Sequence, residues 1–164
     1  MILAATGHRP DKLGGYSPDV SSMLRRLAAS CIGELRPDQV ISGMALGWDI
    51  AVAEAALLAG VPLTAAVPCR DQDVRWPPEA RERYRRILAR ASRVHVVSPG
   101  AYSPAKMQRR NVWMVDRCDL LLALWDGSRG GTANCLAYAD LRGVPYRNAW
   151  GLWREVASVV GAGP

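Results

Sequence analysis

The stretch from Asp119 to Thr132 carries the clearest chemical signal in the chain. Its first half is continuously apolar from Leu120 to Trp125, as in a parallel strand that is covered on both faces. The second half contains one acid, three glycines and a threonine: Asp126, Gly127, Gly130, Gly131 and Thr132. Glycine lets backbone amides approach a ligand, and a helix beginning near Thr132 would offer N–H groups to an anion. The stretch predicts a phosphate or nucleotide site, the alternative being an ordinary strand-to-helix turn.

A second glycine-containing turn precedes a helix with few ionisable residues. Its members are Ser42, Gly43, Met44, Ala45, Gly47 and Asp49. Gly43 and Gly47 are four positions apart and no Gly-Lys-Ser/Thr follows, so the turn is neither a dinucleotide fingerprint nor a P-loop. It still predicts a ligand-binding turn at a helix N-terminus. Asp49 is either a ligand contact or an acid of the first helical turn.

The loop after the first expected strand contains Gly7, His8 and Arg9, with Tyr16 behind it. Gly7 frees the backbone at the strand end, and Arg9 is the favoured anion ligand. His8 is either a ligand contact or a histidine held by neighbouring backbone.

The loop after the third expected strand contains Gln72 and Trp76. Trp76 and Tyr16 would cover a nucleobase, with Gln72 reading a base edge or a ribose. The alternative for Trp76 is plain packing.

A helix near residue 110 carries a polar residue on an apolar stripe. The stripe consists of Met107, Asn111, Met114, Val115 and Cys118. Asn111 needs a hydrogen-bond partner there, because buried polar groups are almost always bonded. Arg110, next to it, is long enough to reach the strand ends and is predicted to clamp a phosphate.

Strands and helices must alternate to position these loops. The pattern predicts strands at Ile2–Ala5, Gln39–Ser42, Leu63–Val67, Val94–Val97, Leu120–Trp125 and Val144–Arg147. It predicts helices at Ser17–Glu34, Trp48–Ala59, from Pro77-Pro78, from Ser103-Pro104, at Thr132–Arg142, and near the end with Leu152, Val156, Val159 and Val160 on one side. This order predicts a doubly wound, mostly parallel α/β sheet, in which ligands bind at the carboxyl ends of the strands.

Helix 48–59 is apolar on nearly every side, which is typical of a helix buried all round. We therefore expect it to pack against the sheet and against a second copy of the chain, forming a homo-oligomer. Glu54, an isolated acid on this helix, would then lie in the site or at the interface.

Size and composition favour one cytoplasmic domain over residues 1–164. Such a length buries roughly 70% of the unfolded surface. The four cysteines, Cys31, Cys69, Cys118 and Cys135, match neither a metal knuckle nor a disulfide framework. No secretory signal, membrane span or metal motif is predicted, and no cofactor beyond a nucleotide-type ligand is required.

The formal net charge is +6, and residues 70–117 hold twelve Arg or Lys against five Asp or Glu. A basic stretch admits nucleic-acid binding. Part of it is accounted for by expected i,i+4 pairs from Glu79 to Arg83 and from Glu82 to Arg86. A solvated face is therefore favoured.

Four segments together resemble the YpsA-like branch of the SLOG superfamily. They are Thr6-Gly-His-Arg-Pro10, Ser42-Gly-Met-Ala-x-Gly-x-Asp49, Arg110-Asn-x-x-Met114 with Asp116, and Trp125-Asp-Gly-x-x-Gly-Gly-Thr132. The resemblance covers nearly the whole chain. It implies a Rossmann-like fold that binds a nucleotide or a nucleotide-derived ligand.

Relatives within the superfamily imply competing functions. The LOG phosphoribohydrolases carry an arginine matched by Arg110 and a loop matched by Gly130-Gly-Thr132, but their glutamate is replaced here by Cys135. Hydrolysis of nucleoside monophosphates would need another acid, for which Asp126 and Glu54 are candidates, with Arg110. DNA-processing relatives imply single-stranded DNA binding, and another branch carries the molybdenum cofactor. We expect binding or sensing of a nucleotide rather than catalysis.

Overall fold

The computed structural model describes residues 1–159, in which strands and helices alternate as predicted. The strands are β1 (Ile2–Gly7), β2 (Gln39–Ser42), β3 (Leu63–Val67), β4 (Arg93–Val96), β5 (Leu120–Leu124) and β6 (Tyr146–Asn148). The helices are α1 (Pro18–Leu35), α2 (Trp48–Leu58), α3 (Pro78–Arg90), α4 (Pro104–Val115), α5 (Gly131–Arg142) and α6 (Trp150–Val159), with a 3₁₀ turn at Pro10–Lys12. Val160, predicted on the last helix, lies outside the described residues.

The described strands form one parallel sheet in the order β4-β3-β2-β1-β5-β6. The chain moves outward from β1 to β4 and then returns to the other side of β1 with β5. The carboxyl ends of β1 and β5 therefore flank the topological switch point, where open α/β sheets bind ligands.

Helices cover both faces of the sheet. Side chains from α1, α2, α3 and α6 form one core with the sheet, and α4 and α5 form a second core on the opposite face. Among the helices of residues 1–159, none is long and apolar enough to cross a lipid bilayer.

Helix α2 is buried on nearly every side within a single chain. It contacts α1, α3 and strands β1 to β3, and from Trp48 to Ala56 its side chains are buried except for the half-buried Glu54. Its all-round apolar pattern is therefore satisfied without a second copy of the chain. Leu58, at the C-terminal end, is 75% exposed.

The ionic contacts of α3 differ from the expected pattern in one pair. Arg83 binds Glu54 on α2 through two hydrogen bonds of 2.5 Å, rather than Glu79 on its own helix. The pair from Glu82 to Arg86 is present at 3.4 Å. Arg83 pairs with Glu54 of the neighbouring helix rather than with Glu79 because Glu54 is half-buried and its charge needs a cation beside it.

Candidate functional site

A cavity of about 380 Å³, which we call the switch-point cavity, opens at the carboxyl ends of β1 and β5. Four segments contribute to it: the end of β1 with its following loop, the turn before α2 with the first turn of that helix, α4 with the residue Tyr102 before it, and the start of α5. Its lining includes Thr6, Gly7, His8, Arg9, Asp11, Lys12, Ala45, Asp49, Tyr102, Pro104, Met107, Gln108, Arg110, Asn111, Gly131, Thr132 and Asn134. Four of the five sequence-predicted regions therefore meet here, and the Gln72–Trp76 loop does not.

The loops after β1 and β5 are joined through His8. Its backbone N–H donates to the carbonyl of Leu124 at 3.0 Å, and its Nε2 lies 2.7 Å from Asp126 Oδ1. Hydrogen bonds from Ser128 and from His8 hold the pKa of Asp126 well below its usual range. Asp126 is thus an ionised residue that orders the β5 loop, and it does not line the cavity.

The turn before α2 is built by side chain and backbone together. Ser42 Oγ donates to the carbonyl of Asp49 at 2.8 Å and accepts from the N–H of Met44 at 3.1 Å. Gly47 has φ +92°, and a Cβ there would lie 2.6 Å from the carbonyl oxygen of His8. This glycine therefore lets the turn close against the β1 loop.

A buried pair, Arg110 and Asp49, forms one wall of the cavity. Arg110 Nη1 lies 3.7 Å from Asp49 Oδ2 and donates to the carbonyl of Gly43, while its Nε donates to Asn111 Oδ1 at 3.0 Å. Two of the guanidinium nitrogens are thus occupied within the protein. The expected phosphate clamp is in the cavity wall, but it also holds the turn at Gly43.

Burial raises the pKa of Asp49 to about 6, against the opposing effect of Arg110. Only 3% of Asp49 is exposed, and its Oδ1 has no hydrogen-bond partner among the described residues. Gly43 is fixed by the same pair, since a Cβ there would overlap the guanidinium of Arg110 and lie 2.8 Å from Asp49 Oδ2.

The start of α5 faces the cavity without a side-chain cap. Its N-cap is Gly130, at φ +148°, and the first intrahelical bond runs from Asn134 N–H to the Gly130 carbonyl at 3.0 Å. The amides of Gly131 and Thr132 precede that bond, so they belong to the helix end that attracts anions. The helix begins one residue before the predicted Thr132.

Asn111 has the partner that its place on an apolar stripe required. Its Nδ2 donates to the carbonyl of Gly131 at 3.3 Å, which ties α4 to the start of α5. Two exposed cations, Arg9 and Lys12, also line the cavity, and Lys12 Nζ donates to Ser128 Oγ at 2.5 Å.

Other predicted site residues lie outside this cavity. Tyr16, Gln72 and Trp76 line a neighbouring cavity of about 540 Å³, which we call the outer cavity. Ser42, Gly43, Met44 and Gly47 build the turn behind the wall, and Gly127 and Gly130 shape the β5 loop. Glu54 is not brought to either cavity, because it is bound to Arg83 between α2 and α3.

Sequence reasoning missed several lining residues, among them Lys12, Tyr102, Met107, Gln108 and Asn134. A helical signal was available for two of them. Met107 is four residues before Asn111, and Gln108 is four residues after Pro104, so both belong to turns of α4 that reach the cavity.

A parallel sheet with helices on both faces and a cavity at its switch point defines the Rossmann-like class of α/β domains. Within that class, the model of the YspA SLOG family matches residues 3–142, and the chain belongs to this family.

Two bacterial relatives are similar in sequence. The uncharacterized SPbeta prophage-derived protein YoqJ of Bacillus subtilis is 36% identical over 100 residues, which cover 54% of this chain and 56% of YoqJ. A UPF0398 protein of Bacillus pumilus is 31% identical over 143 residues, which cover 80% of this chain and 76% of the relative. The match thus spans little more than half the length of YoqJ.

Three solved structures share the fold. DNA processing protein A from Streptococcus pneumoniae has a TM-score of 0.65 at 20% identity, covering 89% of this chain and 49% of that protein. DNA processing protein A from Helicobacter pylori, studied for its single-stranded DNA binding mode, has a TM-score of 0.64 at 14% identity, covering 100% and 82%. The molybdenum cofactor binding protein of Rippkaea orientalis has a TM-score of 0.57 at 18% identity, covering 98% and 85%.

Proposed function

We propose that the switch-point cavity binds the phosphate of a nucleotide or nucleotide-derived ligand, and that the protein binds or senses this ligand rather than transforming it. One observation carries the proposal: the uncapped start of α5, Arg9 and Lys12 all face one cavity at the carboxyl ends of β1 and β5. Backbone amides and cations are the groups that bind phosphate in proteins.

The residues divide into two roles. The amides of Gly131 and Thr132, with Arg9 and Lys12, contact the phosphate directly. Arg110 contributes positive charge, while its bonds to Gly43 and Asn111 hold the surrounding turns. Asp49, whose Oδ1 lacks a protein partner, accepts a hydrogen bond from a ligand hydroxyl such as that of a ribose.

The relatives support a ligand-binding role for this fold, since two of them are named for binding single-stranded DNA and the molybdenum cofactor. A Rossmann-like fold alone hosts many functions, so the proposal depends on the site rather than on the likeness.

A thermal-shift panel with AMP, ADP-ribose, NAD and cyclic nucleotides tests the proposal. A ligand that binds the native state raises the melting temperature. Gly131→Asp adds a carboxylate at the start of α5, in space with no heavy atom within 4 Å of the new Cβ, so it repels phosphate without a steric clash. Gly131→Asn is the matched neutral control.

We expect at least one nucleotide to stabilise the native protein and the Gly131→Asn variant but not the Gly131→Asp variant. No shift with any nucleotide would refute the proposal.

Hydrolysis of nucleoside monophosphates is the competing function. Neither acid proposed for it is well placed: Asp126 is ionised and bonded to His8, and Glu54 is bound to Arg83. Cys135, at the position of the glutamate in the LOG loop, is buried, and burial raises its thiol pKa to about 11. Chromatographic detection of free base released from AMP would overturn our preference for binding.

Single-stranded DNA binding is tested by a gel shift at two salt concentrations. Binding through the basic residues 70–117 requires an affinity that falls steeply as salt rises. We do not favour it, because Arg81 and Arg83 are already paired with Asp73 and Glu54.

We propose that the protein works in the cytoplasm. All four cysteines are unpaired, which fits the cytoplasm. Because α2 is covered within the chain, any homo-oligomer formed through helix 48–59 uses its exposed C-terminal end at Leu58.

A further inference from the structure

The outer cavity adjoins the switch-point cavity and differs from it in chemistry. The two share Arg9, Tyr102 and Met107 in their linings, so a single ligand can extend from one into the other. The outer cavity adds the aromatic side chains of Tyr16 and Trp76. Tyr16 is 63% exposed and Tyr102 is 49% exposed, which leaves aromatic surface free for a planar group.

Buried polar atoms that have no hydrogen-bond partner are concentrated at these two cavities. In residues 1–159 they are Asp49 Oδ1, Asp71 Oδ1, Gln72 Oε1 and Arg81 Nε. The first belongs to the switch-point cavity, and the next two belong to residues that line the outer cavity. All three of these atoms are hydrogen-bond acceptors. The two at the outer cavity would be satisfied by a ligand that donates hydrogen bonds.

The orientation of the Gln72 amide is fixed by its other end. Nε2 donates to the carbonyl of Met44 at 2.7 Å, in the turn before α2. A flipped amide would set Oε1 against that carbonyl oxygen, two acceptors facing each other. Gln72 is 7% exposed, and the fixed orientation of its amide places an acceptor, Oε1, at the position where a flipped amide would place a donor.

We infer that the outer cavity is the base subsite of the ligand and that Gln72 selects a base bearing an amino group. This rests on the proposed phosphate site in the adjoining cavity. Tyr16, Trp76 and Tyr102 pack against the base plane, and Gln72 Oε1 accepts a hydrogen bond from an exocyclic amine, as in adenine or cytosine. Hypoxanthine and uracil place a carbonyl oxygen where those bases carry the amine, and that oxygen would face Oε1.

The test compares bases that differ at that one group. Calorimetric titrations of the native protein use the pairs AMP and IMP, and CMP and UMP, with inorganic pyrophosphate as a probe of the switch-point cavity alone. We expect AMP to bind about tenfold more tightly than IMP, and CMP to exceed UMP in the same way.

Gln72→Met removes the acceptor and should bring the ratio of AMP to IMP affinity close to one. Loss of the bond to Met44 would weaken both nucleotides alike, so the ratio distinguishes base selection from a merely structural role. Tyr146→Ala, at an exposed tyrosine on β6, is the control and should leave the ratio unchanged. The native ratio decides the question even where the Gln72→Met variant does not fold.

Equal affinities of AMP and IMP in the native protein would overturn the base inference and leave the phosphate site standing. Binding of pyrophosphate with no gain for any nucleotide would do the same. Failure of pyrophosphate and every nucleotide to bind would refute the proposed function, and the base subsite with it.

Discussion

The buried pair of Arg110 and Asp49 ties three segments of the chain together. Arg110 on α4 donates to Gly43 in the turn before α2, and Asp49 accepts from the N–H of Ala45 at 3.4 Å in the same turn. Breaking such a pair leaves a buried charge without a partner, which costs more than the net value of the pair itself. The pair therefore maintains the shape of the cavity as well as its charge.

The free energy of unfolding should depend on pH through the titration of Asp49. Its folded-state pKa of about 6 exceeds the value near 4 of an unfolded chain. The stabilisation from the protonated carboxyl is complete below about pH 4 and is lost as the pH rises through about 6. Asp49→Asn does not titrate. The free energy of unfolding of this variant, relative to the native protein, should therefore rise by about 2–3 kcal/mol between pH 4 and pH 7.

Urea unfolding curves of both proteins at a series of pH values measure this difference. A difference that stays constant across the range would show that folding does not shift the pKa of Asp49.

Gly43→Ala should damage the site through Arg110. The added methyl group overlaps the guanidinium, so we expect the free energy of unfolding to fall by about 1–3 kcal/mol and nucleotide affinity to fall with it. Gly33→Ala, on the exposed side of α1 where no heavy atom lies within 4 Å, should be neutral or stabilising by up to about 1 kcal/mol. Equal effects of the two substitutions would contradict this explanation of Gly43.

At the residue scale, the sequence indicated which side chains need a hydrogen-bond partner, but it did not indicate which group provides it. The apolar stripe on α4 required a partner for Asn111, and the structure supplies the Gly131 carbonyl. The bond from Arg110 to Gly43 joins residues 67 positions apart, and the bond from Gln72 to Met44 joins loops after different strands. Such contacts depend on how the strands are ordered in the sheet, which local pattern does not specify.

Helices α2 and α3 are linked by the ion pair of Glu54 and Arg83, whose side chains are 18% and 26% exposed. Glu54→Gln should lower the free energy of unfolding by about 1–2 kcal/mol, because the partly buried Arg83 loses its counter-charge. Glu82→Gln, which affects an exposed pair with Arg86, should cost no more than about 0.5 kcal/mol.

Thermal unfolding and nucleotide titration of both variants test this assignment. Nucleotide affinity should be unchanged in each. A loss of ligand binding in Glu54→Gln alone would restore Glu54 as a site residue.

At the element scale, the periodicity of the sequence was sufficient to predict the six described strands and the starts of the six α-helices to within a few residues, but not the 3₁₀ turn at Pro10–Lys12. The interpretation of α2 needed more than its pattern. A helix that is apolar all round indicates complete burial, but it does not say whether the cover comes from the same chain. Here α1 and α3 provide it, since they pack on the same face of the sheet.

The cover of α2 limits where a second copy of the chain could contact this helix. Leu58 is the most exposed apolar side chain of α2, so it is the position at which a second copy would contact this helix. We expect Leu58→Glu to leave the molar mass in solution unchanged, as measured by light scattering coupled to size-exclusion chromatography. Dissociation of a native oligomer by this substitution would show that the exposed end of α2 is an interface.

Across the whole molecule, the cavity lies where the sheet order reverses, and its anion-binding groups come from segments far apart in sequence. Arg9 and Lys12 follow β1, whereas the uncapped amides follow β5. The sheet thus brings the cations after β1 and the amides after β5 to one cavity, although they lie in separate loops of the sequence. The central claim is that this place binds the phosphate of a nucleotide.

Calorimetric titration of the best-stabilising nucleotide into the native protein and the Gly131→Asn and Gly131→Asp variants tests that claim most directly. We predict similar affinities for the first two, and at least a tenfold loss in Gly131→Asp, a factor that corresponds to about 1.4 kcal/mol. Equal affinity in all three proteins would contradict the claim, because a carboxylate at the start of α5 cannot leave a phosphate bound there undisturbed.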